Sequence, residues 1–208
     1  MPSKSSQTPP KWWLALPLIA FGVGVLVWKD AWKSLLLYHA LLLVPLGIYH
    51  QRWSFQDLFR GFRISLFLIH VVAVIAGFFA LTSLAAAKDF QGPVLRSLMG
   101  AFGSIGIEFV VYFILVNPVF EEIFWRGLFA AKTKSLTIED IAFGFFHALI
   151  LYPFVSAIYI AGGVIGLTAI AWTWRQIRWK TGGIAIPWLG HVLGDSMFAA
   201  VVAYLMTR

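Results

Sequence analysis

Leu98–Ala131, LMGAFGSIGIEFVVYFILVNPVFEEIFWRGLFAA, is apolar along most of its length yet holds Glu108, Glu121, Glu122 and Arg126. Crossing the hydrocarbon core of a bilayer takes about 20 helical residues, so this run is too long for one straight crossing. Asn117-Pro118 lies inside it. Proline removes a backbone donor and crowds the preceding turn, so a kink there, or a break into two helices, is expected. A run this long without alternating polarity can satisfy its backbone in lipid as helix, not as a barrel strand.

Six further apolar runs flank it: Trp12–Trp28, Ser34–Tyr49, Ile64–Ala87, Ile141–Tyr152, Phe154–Trp174 and Ile184–Met206. The run ending at Tyr152-Pro153 is short and predicts a partial span or a tight reversal. The chain of 208 residues is 60% hydrophobic and 12% charged, with a mean hydropathy of +0.83. A soluble domain carries about a quarter charged residues and could not hide this much apolar surface. The expected fold is therefore all-α, a polytopic transmembrane helical bundle of about seven to eight helices. Trp12–Trp28 lacks a small-x-small cleavage site and reads as a retained first span, not a removed signal. Residues 12 to 208 read as one integrated domain, with accessory helices over 12–97 and a catalytic core over 98–208. The polar, basic stretch 1–11 reads as a disordered cytoplasmic tail.

The formal net charge is +7, but the basic residues stand in short clusters between apolar runs. With seven crossings, Lys4, Lys11, Arg52, Arg60, Arg63, Lys132, Lys134, Arg175, Arg178 and Lys180 fall on one side. The other keeps Lys29, Lys33, Lys88 and Arg96, partly balanced by Asp30 and Asp89. That bias predicts a multi-pass protein of the cell membrane with a cytoplasmic N-terminus, and membrane lipid as its surroundings. Two full crossings around Pro118 would invert everything after it. No basic face or known module accompanies the charge, which argues against nucleic acid. There are no cysteines, so disulfides, thiolate catalysis and Cys-ligated zinc are excluded.

Ionisable side chains inside spans cost roughly 2.5–3.5 kcal/mol each on insertion scales, so each is a functional hypothesis. In Glu121-Glu122-Ile123-Phe124-Trp125-Arg126, Glu122 and Arg126 share a helical face in the favourable order for an ion pair. Glu121 points about 100° away and is free to face something else. Two solvated glutamates at a helix end would be the plainer reading. Phe143-Gly144-Phe145-Phe146-His147 carries a second candidate, although a lone histidine on an apolar helix is more often packing, as read here for His39, His50 and His70. In His191-Val192-Leu193-Gly194-Asp195 the spacing puts imidazole and carboxylate on one face. A carboxylate so placed sets the ring's tautomer, and a purely structural pair joining helices is the rival reading. Glu121, Glu122 and Asp195 against Arg126 leave a charge deficit in a low-dielectric place. A protonated histidine, a protonated carboxylate or a divalent cation would relieve it, and each is a hydrolytic device.

Glu-Glu-x-x-x-Arg, Phe-x-x-x-His and His-x-x-x-Asp, in that order on successive apolar helices, resemble the CAAX-protease and bacteriocin-processing (CPBP, or Abi) family. That family includes the type II CAAX prenyl endopeptidases. The resemblance covers roughly Asn117 to Phe198. It implies an intramembrane endopeptidase with a cavity opening to the cytosol and a peptide or protein substrate near the bilayer. By position, Glu121 would be the general base assisted by His147, Glu122 and Arg126 would brace the site with Phe143, and His191 with Asp195 would stabilise the oxyanion. Many members carry Asn where this chain has Asp195. An amide can donate to an oxyanion and an ionised carboxylate repels it, so His191 is the better candidate.

The resemblance favours a mechanism without cofactor or metal. In the alternative, zinc or another divalent cation would sit on His147, His191 and Asp195. Two other functions compete: a non-catalytic scaffold or immunity-type membrane protein using the polar cluster for packing, and a transporter, against which the lack of repeat symmetry speaks. Glu108 either lines an entrance or marks the far interface.

Overall fold

The structure, a computed structural model, describes residues 9–50, 56, 60–85, 106–129, 131–152 and 156–206. Regular structure among these residues is helical, with no strand, as the apolar runs predict. The first eight residues of the tail, Arg52, Lys88, Asp89, Arg96, Pro153 and the start of the long run before Gly106 lie outside the described residues.

Helix α1 runs Lys11–Trp28, opening in a 3-10 turn and closing in a π turn over Gly22–Trp28. It stops where Lys29 turns left-handed at φ 52°. Asp30 then caps α2 (Ala31–Ile48), its carboxylate accepting the Lys33 backbone N–H at 3.0 Å. That bond, with the Lys33 side chain, holds the Asp30 carboxyl below its ordinary range. Helix α3 spans Ile64–Ala85.

The long run divides as its proline demands. Helix α4 (Ile107–Leu115) ends at Val116, and α5 (Asn117–Glu122) starts afresh with Pro118 in its first turn. Pro118 has no N–H to continue the ladder; across the break Val119 N–H reaches Val116 O at 3.1 Å, and Phe120 N–H to the same oxygen is stretched to 3.5 Å. Chain direction then continues through a π turn, Ile123–Leu128. Helix α6 (Ile138–Leu151) follows, then α7 (Ala157–Thr181) and α8 (Ala185–Met206). Apolarity ends at Trp174, but α7 continues until Gly182 takes φ 76°, a conformation that suits glycine. Arg175 explains the extension. Its guanidinium is buried and grips the Asp140 carboxylate at 2.8–3.1 Å. It also donates to the carbonyls of Ala131 at 3.0 Å and of Thr133 and Ser135 at 2.7 Å. Asp140 in turn closes a capping box with Thr137 at the start of α6. Lys11 pairs with the buried Glu139 beside it, joining the start of α1 to the start of α6.

Helices α1, α2 and α7 are long and apolar enough to cross a bilayer. Ile158, Ile165, Ile107 and Val27 are each at least 70% exposed, which suits a hydrocarbon surround rather than water. Polarity gathers inside. Phe21, Tyr38 and Phe146 pack ring to ring at 5.0–5.8 Å, tying α1 and α2 to α6. Trp125 of the π turn joins the same layer, stacking on Phe146 at 5.8 Å and meeting Phe143 edge-on at 5.6 Å, while Phe143 and Phe146 meet edge-on at 5.7 Å. Helices α6 and α7 approach closely at Gly144, where any Cβ would collide with the Val164 carbonyl and Thr168. Gly144→Val should therefore lower stability by about 1–3 kcal/mol, read from thermal unfolding in detergent. An unchanged midpoint would contradict this packing.

Candidate active site

Three helices that are distant in sequence deliver the polar cluster. Helix α5 and its π turn carry Asn117, Glu121, Glu122 and Arg126, α6 carries Phe143 and His147, and α8 carries His191 and Asp195. The restart at Asn117 aims α5 inward, so that Glu121, Glu122, Arg126 and His191 are 3, 0, 2 and 5% exposed.

Glu122 is doubly held. Its Oε1 accepts Arg126 Nη1–H at 3.0 Å, the pair expected from their spacing, and His191 Nδ1–H at 3.1 Å. Ionic hydrogen bonds of this kind are the strong ones, and here they join α5 to α8. Arg126 lies over the rings of Phe143 (4.3 Å) and Trp174 (4.9 Å), so aromatic faces cover the charge that Glu122 does not. Glu121 faces another way, as its helical angle predicts. Its Oε1 accepts Asn117 Nδ2–H at 3.1 Å, and its Oε2 stands 3.8 Å from His191 Nε2. Asp195 Oδ1 is 3.7 Å from the same nitrogen. His191 is thus ringed by three carboxylates. Among the described residues, Glu121 Oε2, Glu122 Oε2, Arg126 Nη2 and Asp195 Oδ2 are buried without a hydrogen-bond partner.

His147 stands one turn beyond Phe143 and donates Nδ1–H to the Phe143 carbonyl at 2.7 Å, leaving Nε2 as the acceptor. Its ring packs on Phe143 at 4.9 Å and Phe146 at 4.0 Å. Among the described residues it makes no hydrogen bond to a carboxylate, so the set of charged and imidazole groups linked within 4 Å is Glu121, Glu122, Arg126, His191 and Asp195. Phe143 serves as a wall, beneath Arg126 and 6.2 Å from the His191 ring. Glu108 is exposed in the first turn of α4.

Sequence reasoning overlooked several participants. Asn117 is one turn before Glu121 and so was open to the same spacing argument that paired Glu122 with Arg126. His39, read as packing, bonds Asn117 Oδ1 through Nε2 at 3.1 Å. His70, read likewise, accepts Trp174 Nε1–H at 2.5 Å, and the Trp174 ring lies 5.2 Å from that of His191. Gly190 permits this approach, since a side chain there would strike the His70 ring. Among the described residues no group of three or more His, Asp or Glu is arranged to hold a metal ion, and the alternative set His147, His191 and Asp195 is not gathered as one.

Fold and cluster together define a helical membrane protein built around a buried carboxylate–imidazole centre. Residues 102–197 match the family described as Rce1-like, type II CAAX prenyl endopeptidase Rce1-like. The resemblance read from the three motifs is borne out, and at family level it is to an intramembrane CAAX-type peptidase, with a peptide or protein as substrate. No curated protein and no solved structure matches the chain.

Proposed function

We propose that the chain is a glutamate-dependent intramembrane endopeptidase that hydrolyses a peptide bond of a membrane-associated or lipidated substrate without a metal. The observation that carries this reading is Glu121 Oε2, buried, without a hydrogen-bond partner among the described residues and 3.8 Å from His191. A carboxylate oxygen so placed can take a proton from water, assisted by His147 through its free Nε2. The resulting hydroxide adds to the scissile carbonyl carbon. His191, anchored through Nδ1 and protonated at Nε2, stabilises the oxyanion. Collapse breaks the C–N bond, and the proton held by Glu121 passes to the departing amine. Glu122 and Arg126 hold His191 in place. Asp195 shares the proton of His191, a role that suits a carboxylate where an amide would have donated directly. The distribution of Lys and Arg supports a cell-membrane protein with a cytoplasmic N-terminus.

The test reconstitutes the protein in vesicles with fluorescence-quenched peptides, one ending in a farnesylated Cys-aliphatic-aliphatic-Met sequence and others bearing an acyl chain or a transmembrane anchor. Cleavage that disappears in Glu121→Gln and His147→Ala supports the reading. Cleavage retained in both variants refutes it, and the absence of cleavage across the panel leaves the polar cluster to helix packing. Prior dialysis against a chelator is expected to leave the rate unchanged. Activity that is lost and then restored by zinc would overturn the metal-independent mechanism.

A further inference from the structure

We propose that Tyr112, His39 and Asn117 form a hydrogen-bond chain that orients the Glu121 carboxylate, which makes His39 a positioning residue for the reaction. The inference rests on the reading of Glu121 as the base. It gives the accessory helix α2 a part in the chemistry.

The direction of every bond follows from the inventory of donors and acceptors. Asn117 Nδ2–H donates to Glu121 Oε1 at 3.1 Å. The amide oxygen of Asn117 then faces His39 Nε2 at 3.1 Å and can only accept, so His39 carries its proton on Nε2. Its bare Nδ1 accepts the Tyr112 O–H at 2.8 Å. The chain therefore runs one way, from phenol to imidazole to amide to carboxylate, and bonds so aligned strengthen one another. Asn117 and His39 are each 3% exposed. The imidazole plane is fixed by stacking on Phe120 at 4.4 Å and 19°. With Oε1 engaged, rotation of the Glu121 carboxylate is arrested, and Oε2 is left toward His191.

A role confined to joining α2 to α5 would need only a polar residue of suitable size at position 39. Orientation needs a donor at the place of Nε2. A glutamine amide nitrogen reaches that place, an asparagine amide reaches the place of Nδ1, and phenylalanine keeps the ring shape with no donor. With the farnesylated peptide, His39→Gln should keep near wild-type kcat. His39→Asn and His39→Phe should lose about 10–100-fold in kcat with KM unchanged, the scale found for hydrogen-bond partners that orient metal-ligating side chains. Equal activity in all three, or equal loss in all three, overturns the proposal. Glu121→Gln in the same assay separates the two readings: if it stays active the base assignment fails, whereas if it is dead while His39→Phe is fully active the chain fails alone. A measurement independent of substrate is 15N NMR of the wild-type protein labelled at histidine, with the His39 signals assigned by their loss in His39→Gln. The Nε2–H tautomer is expected, and the Nδ1–H tautomer would overturn the proposal.

Discussion

Glu121→Gln is expected to lower kcat by about 10²–10⁴-fold while KM and the thermal unfolding midpoint stay at wild-type values. The substitution conserves shape. The amide oxygen of glutamine can still accept from Asn117, so the bond that now measures 3.1 Å survives. What changes is the other end of the side chain, where an acceptor able to take a proton becomes an amide that cannot. Groups that act only in the transition state lower kcat when removed and leave ground-state binding alone. A variant retaining more than a tenth of the wild-type rate would end the base assignment.

Breaking the ion pair beside it should damage folding first. Arg126→Met leaves Glu122 buried with His191 as its remaining hydrogen-bond partner, and an uncompensated buried charge costs about 3–5 kcal/mol. Lost cation–π contact with Phe143 and Trp174 adds to this. The unfolding midpoint in detergent should fall steeply. Adding Glu122→Gln to Arg126→Met removes the stranded charge and should recover most of the loss, because adjacent sites couple. If the single variant unfolds at the wild-type temperature, or if the double variant is worse, the pair is not what holds the cluster together.

Local spacing made part of this site legible. Glu122 with Arg126, and His191 with Asp195, are each one turn apart on a single helix, and the structure places each pair at 3.0 and 3.7 Å. The break at Pro118 could be foreseen because proline acts on its own helix. Contacts between helices could not. His191 meets Glu122 across 69 positions and His39 meets Asn117 across 78, and no periodicity within one run encodes which face of another it will touch. His39 reads as packing because a histidine among leucines has no visible partner until α5 is laid against α2. The extension of α7 beyond Trp174 was hidden for a related reason. Apolarity marks where lipid ends, whereas a helix persists as far as its side chains find support, and here Arg175 finds it in Asp140 and three carbonyls.

That grip by Arg175 also bears on how the site is approached. A strand of chain between two site helices would ordinarily be free to fold over a captured ligand, but residues 131–135 are pinned to a neighbouring helix by their own backbone oxygens. Under the proposed activity, nothing swings shut there, and selection falls to geometry that exists before any peptide arrives. An anchored peptide suits so fixed a segment, since confinement to a two-dimensional sheet raises its local concentration without any help from a closing loop there.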